Sequence, residues 1–275
     1  MLMNSAGAGA IDYAPCQYGK SRAVFRGPVR DLSQPYVAML GGTTTFGKFV
    51  ATPYPALVEA ATGHPVANLG GLNAGPDFYL SDRSALEVAA RARVAVLQIP
   101  GAEAQSNRFY TVHTRRNDRF LAATPALCAL FPEVDFTEIH FTRHLLLVLQ
   151  RTDPARFQTV VAALQANWVT RMRQLLVHLP PRRVLLWLAE TSPPKTARTV
   201  TVEDAAPLVD AEMLAALGRS VTKLVEVVPS PVALAKGLDQ MPFPEAEALL
   251  ARSLPGTAVH AEVAARLGPV VAGLI

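Results

Sequence analysis

Cysteine is scarce: Cys16 and Cys128 are the only two among 275 residues, far apart and without metal-ligand spacing. That excludes a disulfide framework and suits a reducing compartment. Charge is thin as well. Only 17% of residues are Asp, Glu, Lys or Arg, and half are apolar, which excludes a chain too polar to build a core. The net charge is +4, but Lys and Arg are scattered and form neither the dense stripe nor the module that nucleic-acid recognition needs. Long apolar runs are also missing. Runs such as Leu145–Leu149 are far short of a membrane span. The stretch Met1–Ala10 lacks the basic start and apolar continuation of a signal peptide. The expected setting is the cytoplasm, with neither nucleic acid nor membrane as partner.

What the sequence does contain is alternation. Five short, nearly continuous apolar runs read as strands covered on both faces: Tyr36–Leu40, Val66–Leu69, Val94–Ile99, Val184–Ala189 and Leu224–Val228. Helical stretches separate them, at Pro55–Thr62, Ser84–Arg91 and Ala211–Leu217, the last ended by Gly218. A longer helix is signalled by Asp153-Pro154, an N-cap followed by proline at the first helical position. Phe157, Val161, Leu164, Trp168, Met172 and Leu175 then recur on one face. Strand–helix alternation predicts a three-layer α/β/α fold around a doubly wound, mostly parallel five-stranded sheet. One domain over 1–275 is expected, with an N-terminal extension at 1–34 and a long helical insertion at about 105–180. The Pro-rich stretch Thr191–Pro207 reads as a long loop, either over a site or simply solvated.

In such a sheet, ligands sit beyond the carboxyl ends of the strands. The first turn there is Gly41-Gly42-Thr43-Thr44-Thr45-Phe46-Gly47, the second Asn68-Leu69-Gly70-Gly71-Leu72-Asn73-Ala74-Gly75 and the third Pro100-Gly101-Ala102-Glu103. Glycines permit sharp turns and close backbone approach, and hydroxyls offer a nucleophile or a hydrogen bond. The same residues also suit a packing turn with threonine caps. Beyond the third turn lies a polar cluster holding Asn107, Arg108, Tyr110, His113, Arg115, Arg116, Asn117, Asp118 and Arg119. Guanidinium groups fork onto phosphate, sulfate or carboxylate, so Arg108, Arg115 and Arg119 are candidates for gripping an anion. A solvated polar surface is the alternative, as it is for the basic segment Lys20–Arg30. His140 and His144 stand four apart without a convincing third ligand, and no metal is expected. His260 opens the last helical stretch.

Taken together, these turns resemble the SGNH, or GDSL-like, hydrolase superfamily, in a divergent bacterial branch with a flavodoxin-like sheet. The resemblance runs in order from about residue 36 to 267. That family places serine in a Gly-Asp-Ser-x-Thr-x-Gly turn after strand one. Here Thr43 takes the serine's place and Gly42 the aspartate's, while Thr45 and Gly47 match. The family's strand-two glycine corresponds to Gly71 or Gly75, with Asn73 between them. Its strand-three asparagine is replaced by Glu103 or Ala104, and Asn107 is the next candidate. His260 matches the catalytic histidine, but Thr257 stands where the family has aspartate, which leaves Glu190 or Asp239 to orient the imidazole.

The resemblance implies ester hydrolysis or acyl transfer without a cofactor, on a polar or glycan-type small molecule, anionic if the arginines contact it. Thr43 would attack, His260 would take its proton, and Glu190 would orient the ring. The Gly71 or Gly75 amide, with Asn73 or Asn107, would hold the oxyanion. A disturbed orienting carboxylate costs roughly 10⁴-fold in rate, and one lost oxyanion donor about 10²–10³-fold. Two other readings follow from the departures: an inactive relative that binds an anionic ligand, or an interaction module that docks on another subunit, including a second copy, through its apolar end, Leu267–Ile275.

Overall fold

The structure, a computed structural model, describes residues 11–199 and 205–275. Residues 1–10 of the expected extension and 200–204 of the expected loop lie outside it. The strands are β1 (Val37–Leu40), β2 (Val66–Asn68), β3 (Val94–Gln98), β4 (Tyr110–His113), β5 (Arg116–Ala123), β6 (Arg183–Leu188) and β7 (Lys223–Val227). The helices are α1 (Thr43–Phe46), α2 (Tyr54–Thr62), α3 (Pro76–Leu80), α4 (Arg83–Arg91), α5 (Pro125–Leu130), α6 (Thr142–Thr152), α7 (Pro154–Val177), α8 (Ala211–Ala215), α9 (Pro231–Ala235), α10 (Ala248–Arg252) and α11 (Thr257–Ala272).

Five strands form a parallel sheet in the order β2-β1-β3-β6-β7. Val37 sits between Val66 and Val94 across β2, β1 and β3. Because side chains alternate along a strand, each strand feeds both layers. Ala38, Leu40, Ala95, Leu97, Leu185 and Trp187 face one way, into a core shared with α3, α4 and α7. Val37, Met39, Val94, Val96, Val184 and Leu186 face the other way, against Tyr54 and Val58 of α2 and Val259, Val263, Leu267 and Val271 of α11. Two-sided burial is why all five strands read as plain apolar runs. The α/β/α expectation holds.

Helix α7 begins as expected: the Asp153 carboxylate accepts from the Ala155 and Arg156 amides, with Pro154 at the first position. Two expectations change. The insertion is not wholly helical, because β4 and β5 pair as an antiparallel hairpin at its start. Its polar sequence hid the strand period: in β5 only Asn117 and Phe120 are buried. The apolar C-terminal end is also less free than expected, since Leu267 and Val271 are fully buried in the second layer. Among the described residues, no helix is long and apolar enough to cross a membrane.

Candidate functional site

The strand-one and strand-two turns are pressed together. A Cβ on Gly41 would lie 2.0 Å from Thr45 Oγ1, and one on Gly70 would lie 2.3 Å from the Phe46 nitrogen. Tyr79 of α3, fully buried, clamps both. Its hydroxyl accepts from the Gly41 amide at 2.7 Å and lies 2.8 and 2.9 Å from the Gly41 and Leu69 carbonyls, one of which takes its proton. Asn68 adds a second clamp, donating to the Thr45 carbonyl and accepting from the Gly70 amide. Thr45 is buried, its hydroxyl 2.7 Å from both Tyr54 Oη and Gln98 Oε1. Tyr79→Phe removes a buried hydroxyl and strands the Gly41 amide, so it is expected to cost about 2 kcal/mol. Urea denaturation checks this, and a loss below about 0.5 kcal/mol would contradict the clamp.

Thr43 is half-buried at the start of α1. Its hydroxyl donates to Asn73 Oδ1 at 2.7 Å and accepts from the Asn73 amide at 2.9 Å. Asn73 sits at φ +53°, a left-handed position that asparagine tolerates better than most residues. Its Nδ2 donates to Asp118 Oδ2 at 2.9 Å, and Asp118 Oδ1 lies 3.5 Å from Arg116 Nε. The hairpin is thereby docked on the second turn. Asn117, fully buried, fixes that docking: its amide donates to the Asn73 carbonyl, and its Oδ1 accepts from the Gly75 and Phe78 amides. The proton of Thr43 therefore rests on an amide oxygen, which is no base.

His260 is brought to the start of α11 but is walled in, at 2% exposure. Its Nδ1 accepts from the Tyr54 amide at 3.0 Å, and its ring stacks on Tyr54 with 5.7 Å between centroids. An accepting Nδ1 carries no proton, so the neutral ring holds its proton on Nε2 and has no lone pair there for a hydroxyl. Burial, reinforced by the nearby Arg26 guanidinium, lowers its pKa to about 3. A triad carboxylate does the reverse, because it stabilises the imidazolium. Thr43 hydrogen-bonds to Asn73, not to His260. Glu190 and Asp239 are exposed, and among the described residues neither hydrogen-bonds to His260. Thr257 Oγ1 is buried without a partner.

The expected oxyanion donors are spent within the fold. The Gly71 amide donates to the Gly41 carbonyl at 3.0 Å, and the Gly75 amide donates to Asn117. Asn107 closes its own turn, donating to the Gln105 carbonyl and accepting from the Phe109 and Tyr110 amides. The three exposed arginines do not converge. Arg108 stacks on Phe109 before β4, Arg115 lies in the hairpin turn, and Arg119 stacks on Phe141. Among the described residues, no group of three or more His, Cys, Asp or Glu side chains is placed to hold a metal ion.

Sequence reasoning missed Tyr54, Tyr79 and the structural part played by Asn117. It also took Arg26 for surface and left Asp118 in a solvated cluster. An Asn-Asp pair inside a charged strand was the available signal for the hairpin's docking, but nothing local marked Arg26 as buried.

A family model described as "Domain of unknown function (DUF6473)" matches residues 1–275. No curated protein matches the chain. Among solved structures, phospholipase A1 from Streptomyces albidoflavus NA297 aligns over 88% of this chain and 99% of its own, at 11% identity and a TM-score of 0.41. An extracellular lipase from Streptomyces rimosus aligns over 88% of this chain and 100% of its own, at 10% identity and a TM-score of 0.41.

Proposed function

We propose that this chain, which belongs to the family described as domain of unknown function DUF6473, is a divergent SGNH-like protein without triad hydrolysis that binds a small hydroxylated ligand at its strand ends. The observation that carries the first half is the Tyr54 amide seated on His260 Nδ1. It leaves Thr43 without a general base, and base catalysis is worth about 10²–10⁴-fold.

The binding half rests on what stays available around Thr43. Thr44 is half-buried and its hydroxyl has no hydrogen-bond partner among the described residues. Asn73 and Gln98, both bonded to α1, keep spare amide protons, and the Asp118 charge is balanced by Arg116. Mixed donors and acceptors with little net charge suit sugar hydroxyls better than phosphate. Unpaired Cys16 and Cys128 support a cytoplasmic setting.

Two measurements test this. Against short-chain aryl esters, wild type, Thr43→Ala and His260→Asn are expected to give equal background rates; a wild-type rate lost in both variants would restore the hydrolase. In thermal shift with N-acetylglucosamine, glucose, glucuronate and inorganic phosphate, a neutral sugar is expected to stabilise the wild type and not Thr43→Val. No shift with any of them, or one kept in Thr43→Val, would overturn the binding half.

A further inference from the structure

The turn between α1 and α2 lies between the N-terminal segment and His260. Its backbone is strained at Phe49, which is at φ +64° without a glycine's freedom, two residues after Gly47 at φ +79°. Something must hold it there. On its apolar side Phe49 and Val50 pack with Met241 and Ala251. Its polar side is held by two residues that precede β1. Arg26, only 7% exposed, donates from Nη1 to the Gly47 and Val50 carbonyls at 2.6 and 2.9 Å, and from Nη2 to the Ala51 carbonyl at 2.7 Å. The turn is moulded around this guanidinium, since a Cβ on Gly47 would lie 2.9 Å from Arg26 Nη1 and 2.3 Å from Pro53. Tyr13 Oη accepts from the Phe49 amide at 3.0 Å, and its ring packs on Phe46 and beneath Arg26. Three residues beyond Ala51 comes Tyr54, whose amide and ring cover His260.

We infer that the N-terminal segment carrying Tyr13 and Arg26 is a strap: it holds this turn in its strained form and so keeps the Tyr54 amide seated on His260 Nδ1. Arg26 is a positioning residue here, acting on the imidazole through the turn and through its charge. Tyr54, stacked on His260, is the other titratable group facing the ring, and Glu262 is the charged neighbour on its own helix. This inference rests on the reading of His260 as inert in the folded chain, and it adds what keeps it inert.

The test is carbon-resolved NMR of the histidine rings in the full chain between pH 4 and 8, with the His260 signal assigned by its loss in His260→Asn. In wild type that signal is expected to stay fixed. In Arg26→Met it is expected to titrate, moving from about 3 into the ordinary histidine range. Arg26→Lys, which keeps the charge and reaches fewer carbonyls, is expected to fall between. A folded Arg26→Met with an unmoved signal would overturn the strap. If Arg26→Met fails to fold, Tyr13→Phe decides. It keeps the ring and removes only the acceptor for Phe49, and it is expected to speed hydrogen exchange of the Tyr54 amide at least tenfold; unchanged exchange overturns the inference. A wild-type His260 that titrates near the ordinary value would instead overturn the reading on which the strap rests.

Discussion

Replacing His260 by asparagine is expected to remove the steepest part of the protein's acid sensitivity and to make the variant the more stable chain below about pH 5. The unfolded imidazole titrates near 6.5, whereas folded His260 stays neutral down to about pH 3. Between those values the unfolded chain holds a proton that the folded chain refuses. Stability therefore falls with falling pH, by about 1.4 kcal/mol per unit. The contribution is intact above pH 6.5, and about 4 kcal/mol of it is gone by pH 3.5. Asparagine has no such titration, and its Oδ1 falls near the place of Nδ1, so the Tyr54 amide keeps an acceptor. It forfeits the stacked ring, at about 2 kcal/mol. That sets the crossing near pH 5. Urea denaturation of both proteins across pH 3.5–8 gives the difference directly, because carboxylates common to both cancel. Parallel curves would mean that His260 is neither buried nor neutral as described.

The architecture was legible because parallel strands covered on both faces have no polar period to confuse. The runs at Val37–Leu40 and Val94–Gln98 announce themselves, and so does the capped start at Asp153-Pro154. The residues of the site were legible as positions. Thr43 and Asn73 do meet, and His260 lies in the first turn of a helix beside the sheet, one that starts at Thr257. Their roles were not legible, because a role depends on partners chosen across the fold. His260 is governed by the amide of Tyr54, 206 residues away in sequence, and no spacing rule reports which way a backbone N–H points. Arg26 sits in a basic segment that looks like solvated surface, yet the carbonyls of a strained turn satisfy it and let it be buried. Asn117 and Asp118 were visible only as part of a polar cluster. Their alternation, one inward and one toward Asn73, becomes a strand pattern only once β4 supplies the pairing.

Asn117→Ala is expected to cost about 3 kcal/mol and to detach the hairpin from the second turn. The side chain is fully buried and makes four bonds to backbone. It accepts from the Gly75 and Phe78 amides at 2.7 and 3.0 Å, and donates to the His113 and Thr114 carbonyls at 3.0 and 3.3 Å. The four groups do not suffer equally. The Phe78 amide also reaches the Gly75 carbonyl at 3.3 Å, so it keeps a partner. The Gly75 amide is left with none, and a buried orphan of this kind costs about 1–3 kcal/mol by itself. Asn117→Asp separates acceptor from donor. Its carboxylate still takes both amides but cannot serve the two carbonyls, and it brings a second negative charge beside Asp118. Its destabilisation is therefore expected to ease as pH falls and the new carboxyl is protonated, while that of Asn117→Ala stays flat. Arg119→Ala, on the same strand but exposed, is expected to change stability by less than about 0.5 kcal/mol. Denaturation curves order the three variants, and amide exchange at Gly75 locates the damage. If Asn117→Ala is as mild as Arg119→Ala, or if Gly75 stays protected in it, the hairpin is not held by this side chain and the placement of Asn73 against Thr43 needs another cause.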